Sequence, residues 1–487
     1  MVAGLYTRAY IENDIQLQKR ARLVRALGLA FLTCFFLVFS ACEDSNASEP
    51  GPTDYTFLAR DSELSSVSYS GQILRHVLIE ELNDYIAGLT ARIDSSQLQP
   101  AEGDIAQDLN FYYRFDSEVG GQVDLTLPSE LPLVQQSYDD VASGKNLHEK
   151  LAGVDATGQH KDWSTSFAGF EHEDVRSPES LVDFLFDQLD ALAVARSHGD
   201  VGMAPDGSPL QVLHVTEEGW DIKELIEEFM LGAVIFSQAT DDYLDSDLED
   251  HGLNASHDML EEGENATVLE HHWDEAFGYF GAARDYLEYS VDEIVTPGYR
   301  DSNGDGEVDL QSEYNFAFSV KAAQRDRDSI VPTDFTGDIF RAFRDGRTLL
   351  ASVDGALSDA EHASLLGYRD VIVSTWEKVI AATLIHCINE TLADTVALGS
   401  EAYDFYDHAE HFSEMKGFAL ALQFSPFSPL SDAQFNALHE KIGLYPVLAQ
   451  GDAAGYQAAL LEARALLAEV YAFDEGNLGN DQGKSGW

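Results

Sequence analysis

Apolar residues recur at helical spacing through most of the chain beyond residue 70. From Ile73 onward, Val77, Leu82, Ile86 and Leu89 follow the three- and four-residue steps of a helix with one buried face. The same spacing returns across five long segments of the second half, at 333–350, 359–398, 402–424, 431–443 and 452–473. The pattern predicts a mainly α fold built from long, packed bundle helices.

Helix starts and irregular segments divide the first half. Ser177-Pro178-Glu179 and Asp221 are typical of helix N-termini, because a side-chain oxygen there accepts a bond from a free backbone N–H. Residues 101–176 show no sustained helical period, and 112–115 and 123–128 are short strands or extended loop. We expect one helical domain over 54–475, with candidate halves 54–300 and 310–475, and a flexible tail at 476–487.

The N-terminus has the pattern of a targeting segment. Three arginines precede a short apolar run, Ala26 to Phe39, and Ser40-Ala41-Cys42 follows. The run is shorter than the ~20 residues of a spanning helix, which argues against a transmembrane anchor. Small residues before a cysteine resemble a bacterial lipobox, which implies a signal peptide over 1–41 and lipid on Cys42. Residues 42–53 then form a polar linker, and the protein is expected in the cell envelope, anchored to a membrane on its periplasmic or surface face and in the outer membrane.

Charge excludes one class of partner. The chain carries 29 basic and 86 acidic side chains, a net charge of −57. A phosphate backbone would be repelled, so nucleic acid is excluded as a partner. The acidic residues are spread along the whole chain, which favours a role in solubility over a local cation site.

One short motif occurs twice, about 140 residues apart. The first copy contains His272, Glu275, Gly278 and Tyr279, and the second His411, Glu414, Gly417 and Phe418. Positions i and i+3 share a helix face, so each copy presents an imidazole beside a carboxylate. Two such helices packed face to face would form a metal site in a bundle, which predicts His272, Glu275, His411 and Glu414 as ligands of iron or zinc. The alternative is two ordinary His–Glu hydrogen bonds on solvated faces.

Each glycine of the motif lies three residues beyond the glutamate. Glycine inside a helix costs roughly 1 kcal/mol relative to alanine, so two at matched places predict a close approach of an opposing backbone. Further candidate ligands near the motif are His271, His408, His386 and Glu390. Cys387, in the same apolar helix as His386, is expected to be a buried small hydrophobe.

The motifs of common hydrolases are absent from the sequence. His148 and His439 each begin His-Glu but lack the second histidine of a zinc-protease motif, and no nucleophile elbow or phosphate loop occurs. No catalytic residue is therefore assigned, and the protein is not expected to be an enzyme.

An acidic loop after the first motif matches a calcium-binding pattern. Asp301, Asn303, Asp305, Glu307 and Asp309 occupy the ligand places of a loop with glycine at place 6. Ser312 stands at place 12, and Glu313 comes one residue late. The loop predicts a Ca²⁺ site, with a plain acidic turn as the alternative.

Several segments together resemble a known family. SSVSYSGQ, GKNLHEKLAGVDATGQHKDWS, LEHHWDEAFGYFGAARDY, DSNGDGEVDLQSEYNF and WEKVIAATLIHCINETL are similar to a family of bacterial lipoproteins known as a domain of unknown function. That family in turn resembles the imelysins, whose helical motif is Gly-x-His-x-x-Glu. His272 and Glu275 match its last two residues, while Glu270 stands at the glycine. The resemblance implies a helical, duplicated bundle and a role in iron uptake.

Two functions are consistent with these observations. The first is a lipid-anchored envelope protein that captures or delivers iron or zinc, with an envelope transport or receptor protein as partner. The second is a surface interaction protein, adhesin-like and stabilised by calcium, in which the histidine motifs are structural. Elemental analysis separates them, because the first contains a transition metal and the second only calcium.

Overall fold

Helices account for all the regular structure in this computed structural model, which describes residues 53–60, 62–155 and 159–487. Within these ranges there is no β-strand, only isolated bridges such as Leu58–Ser65. The α-helices are α1 Ser70–Asp94, α2 Asp104–Tyr113, α3 Ser117–Gly120, α4 Tyr138–Val141, α5 Trp163–Ser166, α6 Pro178–Ser197, α7 Ile222–Met230, α8 Val268–Phe280, α9 Val291–Val295, α10 Ala317–Asp328, α11 Phe335–Ser352, α12 Asp359–Ala397, α13 Phe405–Ala421, α14 Asp432–Ile442 and α15 Ala453–Tyr471. The predicted mainly α fold is confirmed. The segments 112–115 and 123–128 are not strands.

The predicted helix starts have the expected caps. Ser177 accepts a hydrogen bond from the N–H of Ser180 at the start of α6, with Pro178 in the first turn. Asp221 accepts from the N–H groups of Lys223 and Glu224 at the start of α7. Beyond α7 the helix continues with two π-helical segments, Leu231–Phe236 and Ala239–Tyr243. Such widened turns are frequent at functional sites.

The longest helix, α12, lies at the centre of the second half of the chain. It packs against α10, α11, α13 and α15. Its length and composition would let it cross a membrane, but 78% of its most apolar stretch is buried inside the fold. Burial of this kind is what a core helix of a folded domain requires.

The two candidate halves do not separate. The described residues from 53 onward form one compact unit, and one apolar core contains side chains from Tyr55 to Trp487. The physical reason is packing across the expected boundary: α13 lies against α7, and α11 lies against α8. The candidate halves 54–300 and 310–475 therefore lie within one helical unit of the described chain.

The C-terminal residues 476–487 are docked and do not form the flexible tail that we predicted. Trp487 is 3% exposed, and its indole N–H donates to the carbonyl of Arg325 over 3.0 Å. The side-chain amide of Asn389 donates to the carbonyls of Leu478 and Trp487. The buried ring of Trp487 and the buried amide of Asn389 stabilise the docking of this segment. The polar composition of residues 476–487 does not indicate these contacts. The predicted signal peptide 1–41 and the predicted lipid attachment at Cys42 lie outside the described residues.

Glu377 on α12 gives a testable pH dependence. Burial raises its pKa to about 7, although hydrogen bonds from Ser428 and Tyr471 lower it. Between the ordinary pKa of 4.5 and about 7, the folded state binds more protons than the unfolded state, so stability falls as pH rises through this window. In the wild type this group should lower the free energy of unfolding by up to about 3 kcal/mol as the pH rises through the window. We expect Glu377→Gln to lack this decline, as measured by urea denaturation at several pH values.

The control for this substitution is Glu469→Gln, at an exposed position on α15. It removes the same charge without changing a buried site. If the difference between wild type and Glu377→Gln stays constant from pH 4.5 to 7.5, Glu377 does not titrate as described.

Candidate metal centre

The two copies of the repeated motif lie on different helices that do not form one site. The first copy is on α8, which packs against α1, α11 and the π-helical segments, and the second is on α13, which packs against α7 and α12. Among the described residues, the groups of three or more potential metal ligands within 4.8 Å of one another all include Glu414 and none includes His272 or Glu275. The shared four-ligand centre predicted from the sequence is therefore not formed. The spacing of residues along one helix determines which side chains share a face. It does not determine which other helix packs against that face.

The first copy is held by ordinary polar contacts. The Nδ1 atom of His272 is 3.2 Å from the carbonyl of Gly252, and its ring packs on those of His251 and Tyr243. Glu275 accepts a 2.8 Å hydrogen bond from Gln72 and lies 3.7 Å from His271. These contacts differ from both predictions for the motif, because His272 is paired with Gly252 and Glu275 with Gln72, and no hydrogen bond joins the two among the described residues.

Two other polar residues of the α8 motif are structural. Glu270 and Asp274 are both buried and both bonded to the guanidinium of Arg347 on α11. Asp274 also accepts a 2.7 Å hydrogen bond from Tyr55. Glu270 completes the helix cap with Thr267. Glu270 thus anchors α8 to α11, and Asp274 joins both helices to the N-terminal segment.

The motif glycines allow the close approaches predicted from the sequence. A Cβ atom on Gly278 would lie 2.6 Å from the Cβ atom of Tyr69. One on Gly417 would lie 2.6 Å from the Cβ atom of Glu228 and 3.3 Å from the backbone nitrogen of Phe229. Gly417 therefore sets the distance between α13 and α7.

We expect Gly417→Ala to destabilise the protein by about 1–3 kcal/mol, because the added methyl group overlaps the α7 backbone region and forces the two helices apart. Thermal unfolding measures the loss. The matched control is Gly367→Ala in the exposed part of α12, where an added Cβ meets no atom within 4 Å. That change should stabilise the helix by about 0.5–1 kcal/mol. Equal effects of the two substitutions would contradict the close approach.

The second copy of the motif lies on a polar cavity of about 290 Å³ between α10, α12 and α13. Four of the residues predicted as ligands line this cavity. They are His386, Glu390, His411 and Glu414. The other residues that line the cavity are Cys387, Glu410, Thr383, Lys321, Gln324, Arg325, Arg327 and Asp328. His408, the remaining candidate on α13, is fully buried and faces Tyr403, so it is not part of the cavity lining.

Oxygen and sulfur donors converge at the cavity, and an imidazole nitrogen lies near one of them. Ligating atoms of Cys387, Glu390 and Glu414 lie within 4.8 Å of one another. The Nε2 atom of His411 is 3.8 Å from Glu390, and its Nδ1 atom is 2.7 Å from Asp394. A carboxylate at one ring nitrogen fixes the imidazole orientation and leaves the other nitrogen available, which is the usual arrangement behind a metal-bound histidine.

A second group of carboxylates adjoins the first through Glu414. Ligating oxygens of Glu224, Glu228 and Glu414 lie within 4.8 Å of one another. Lys321 on α10 donates a 3.0 Å bond to one oxygen of Glu228, and the other oxygen is buried without a hydrogen-bond partner among the described residues. Close carboxylates of like charge repel unless a cation lies among them. In this structure Lys321 is paired with Glu228, and Lys223 is paired with Glu224.

The pKa values in this region follow burial and these contacts. Burial raises the pKa of Glu228 well above its usual range, although Lys321 opposes the shift. Burial would lower the pKa of His411, but the bond to Asp394 and the charge of Glu390 raise it to about 9. Burial also raises the pKa of the Cys387 thiol. A metal ion at this site would displace protons from His411 and Cys387.

The sequence analysis did not identify Cys387, Glu224 or Glu228 as site residues. Cys387 stands in an apolar helical run, where a buried hydrophobic role is the simpler interpretation. The available signal was the four-residue spacing of Glu224 and Glu228, which places both carboxylates on one face of the helix.

The predicted calcium loop is bonded to its own backbone. Asp301 accepts from the N–H groups of Gly304, Asp305 and Gly306. Glu313 accepts from those of Ser302, Asn303 and Asp309, and Asp309 accepts from Gln135 and Gln311. No three of the loop's carboxylates bring ligating atoms within 4.8 Å in the part of the chain that the structure describes. Calcium binding by Asp301, Asn303, Asp305, Glu307 and Asp309 stays a prediction, with the self-capped turn as the alternative.

Comparison with known proteins gives a family and no annotated relative. No curated protein and no solved structure matches the chain. A family model described as a domain of unknown function matches residues 52–436, which include α1 to α13 and all the cavity residues. The chain therefore belongs to the family described as Domain of unknown function (DUF4856).

Proposed function

We propose that this protein binds a transition metal ion in the cavity between α10, α12 and α13, with Cys387, Glu390, His411 and Glu414 as ligands. The observation that carries the proposal is the convergence of the donors of Cys387, Glu390 and Glu414. The Nε2 atom of His411 lies beside them, 3.8 Å from Glu390, and Asp394 holds its Nδ1 atom. A set of one nitrogen, one sulfur and carboxylate oxygens suits zinc or iron.

The role assigned to the site is capture or delivery of the metal in the cell envelope, without turnover. The segment before Cys42 supports a lipid anchor, and the resemblance of the His-x-x-Glu motif to the imelysins supports a role in iron uptake. Two of the proposed ligands, His411 and Glu414, belong to the second copy of the motif, so the site differs in place from the one that the imelysin resemblance implies for His272 and Glu275.

The experiment compares the two motif copies. The chain is purified from membranes, its metal content is measured, and the metal-free protein is titrated with Zn²⁺ and, without oxygen, with Fe²⁺. We expect stoichiometric binding to the wild type and a loss of at least about 100-fold in affinity for His411→Ala, since even a residue behind a ligand is worth about 10–100-fold.

The matched control is His272→Ala, which removes an imidazole from the same motif position on α8. Its metal affinity should equal that of the wild type. Equal losses in both variants, or a purified protein that binds only calcium, would contradict the proposed site and favour the calcium-stabilised interaction protein.

A further inference from the structure

A second cavity lies between α1, α7 and α10. Its volume is about 270 Å³, and part of its wall is apolar, formed by Ile79, Leu231 and Val320. Lys321 and Gln324 on α10 line both this cavity and that of the proposed metal site. Pockets for small organic ligands begin near about 300 Å³ and combine apolar walls with a few polar groups. The second cavity therefore has the size and the walls for a small organic molecule.

Glu80 on α1 lines this cavity without a partner for its charge. Its carboxylate makes no hydrogen bond and no ion pair with any other described residue. Burial raises the pKa of Glu80 to about 8. The charges that act on this group, those of Glu227, Asp84 and Glu81, are all negative and raise the pKa further. A cation in the cavity would supply the missing partner.

Glu227 on α7 is the second carboxylate of the cavity. One of its oxygens accepts a hydrogen bond from the side-chain amide of Asn83 on α1. Burial and the charge of Glu224 raise the pKa of Glu227 to about 7, although Lys321 and Lys223 oppose the shift. Two carboxylates at one cavity repel each other unless a cation lies between them.

Tyr314 adds a free hydroxyl group close to these carboxylates. The residue lines the cavity and is 8% exposed, and its hydroxyl makes no hydrogen bond within the part of the chain that the structure describes. This oxygen is not one of the fully enclosed polar atoms, so a ligand can reach it. After burial, the charge of Glu80 is the largest cause of the raised pKa of Tyr314, which places the two groups near each other. A buried hydroxyl without a partner points to a ligand in the cavity.

The cation nearest to these groups has its hydrogen bond elsewhere. Lys321 donates to Glu228 over 3.0 Å and lies over the ring of Phe418. Among the described residues, no hydrogen bond joins Lys321 to Glu80 or Glu227, and its charge is not among those that shift the pKa of Glu80. The lysine therefore does not take the place of a bound cation beside Glu80.

We propose that this cavity binds the ammonium group of a small organic cation, with Glu80, Glu227 and the hydroxyl of Tyr314 as its hydrogen-bond acceptors. A primary ammonium has three N–H donors and no acceptor, which matches two carboxylates and one hydroxyl oxygen. The apolar wall contacts the hydrocarbon part of the ligand. A hard metal ion fits less well, because Ca²⁺ takes about 6–8 oxygen ligands. The inference goes beyond the proposed metal site and does not depend on it.

The test measures binding of n-butylammonium to the metal-free, full-length protein by isothermal titration calorimetry, with 1-butanol as the uncharged comparison. We expect saturable binding of the amine and at least about 10-fold weaker binding of the alcohol, because the alcohol makes no charge-assisted hydrogen bonds. Glu80→Gln should weaken binding of the amine at least about 10-fold for the same reason. Tyr314→Phe, which removes only the hydroxyl, should weaken it at least about 3-fold.

The matched control is Asp84→Asn, which removes the same charge from an exposed position one turn beyond Glu80 on α1 and outside the cavity lining. Its affinity for n-butylammonium should stay within about 3-fold of that of the wild type, since exposed charges are screened. Equal losses in Asp84→Asn and Glu80→Gln would show that the net charge of the surface attracts the amine, and would overturn the proposed contact.

The remaining outcomes also decide the inference. A wild type that does not bind n-butylammonium, or that binds 1-butanol equally well, overturns it, and so does undiminished binding by Glu80→Gln. If Glu80→Gln does not fold, as judged by circular dichroism, Tyr314→Phe decides the test in its place. Because the protein is metal-free throughout, none of these outcomes bears on the proposed metal site.

Discussion

Replacing Arg347 with methionine is expected to lower the free energy of unfolding by about 3–5 kcal/mol, the largest single effect on stability that we predict. Arg347 is fully buried on α11 and donates to Asp274, Glu270 and Ser66 over 2.8–2.9 Å. Its removal leaves two buried carboxylates without a cation. The N-terminal segment also loses a fixed point, because Ser66 and Tyr55 are bonded to this group.

Urea denaturation measures the loss, with Arg341→Met as the matched control. Arg341 lies on the same helix, but its side chain is 43% exposed and its partners are the exposed Asp334 and Asp338. Surface pairs of this kind contribute about 0–1 kcal/mol. A loss for Arg347→Met no larger than that of the control would show that the buried group contributes no more than a surface ion pair.

The triple variant Arg347→Met, Glu270→Gln, Asp274→Asn tests the cause of the effect. If the destabilisation comes from uncompensated charge, neutral side chains should recover part of it. A triple variant less stable than Arg347→Met alone would point instead to lost hydrogen bonds and packing.

Glu414→Gln is expected to have the largest effect on metal binding, a loss of at least about 100-fold in affinity, because this residue belongs to both groups of converging ligands. Its effect on folding should be neutral or stabilising. The substitution removes one negative charge from a region that also holds Glu224, Glu228 and Glu390, and so reduces repulsion.

Competition with a zinc chelator measures the affinity, and thermal unfolding of the metal-free protein measures the stability. The matched control is Glu410→Gln, one turn earlier on α13, which removes the same charge from an exposed position at the cavity. The metal affinity of Glu410→Gln should differ from that of the wild type by less than about 3-fold, since exposed charges are screened. Equal losses would mean that overall charge, and not ligation, controls metal binding.

The expected effects of Glu414→Gln on metal affinity and on the stability of the metal-free protein have opposite directions. Some substitutions lower the metal affinity but leave the metal-free fold as stable as before. A residue with this behaviour is positioned to bind the metal and not to stabilise the fold. In that case the buried carboxylates do not stabilise the metal-free protein. The Arg347 group shows the contrasting case, in which every buried charge has a partner and the expected loss is in stability.

Local features of this protein could be predicted from the sequence because they depend on contacts within a few residues. The caps at Ser177 and Asp221 and the helical period from Ile73 onward are of this kind. The pairing of His411 with Glu414 on one helix face also follows from spacing alone, and so does the mainly α fold.

Contacts between distant segments were decided only by the tertiary structure. The sequence could not show that α13 packs on α7 and not on α8, and this choice places Glu414 beside Glu228 and leaves His272 with Gly252. It could not show that Cys387 faces a polar cavity, or that Trp487 docks on α10. The physical reason is that helical period fixes which residues share a face, whereas the partner of that face depends on the packing of the whole apolar core.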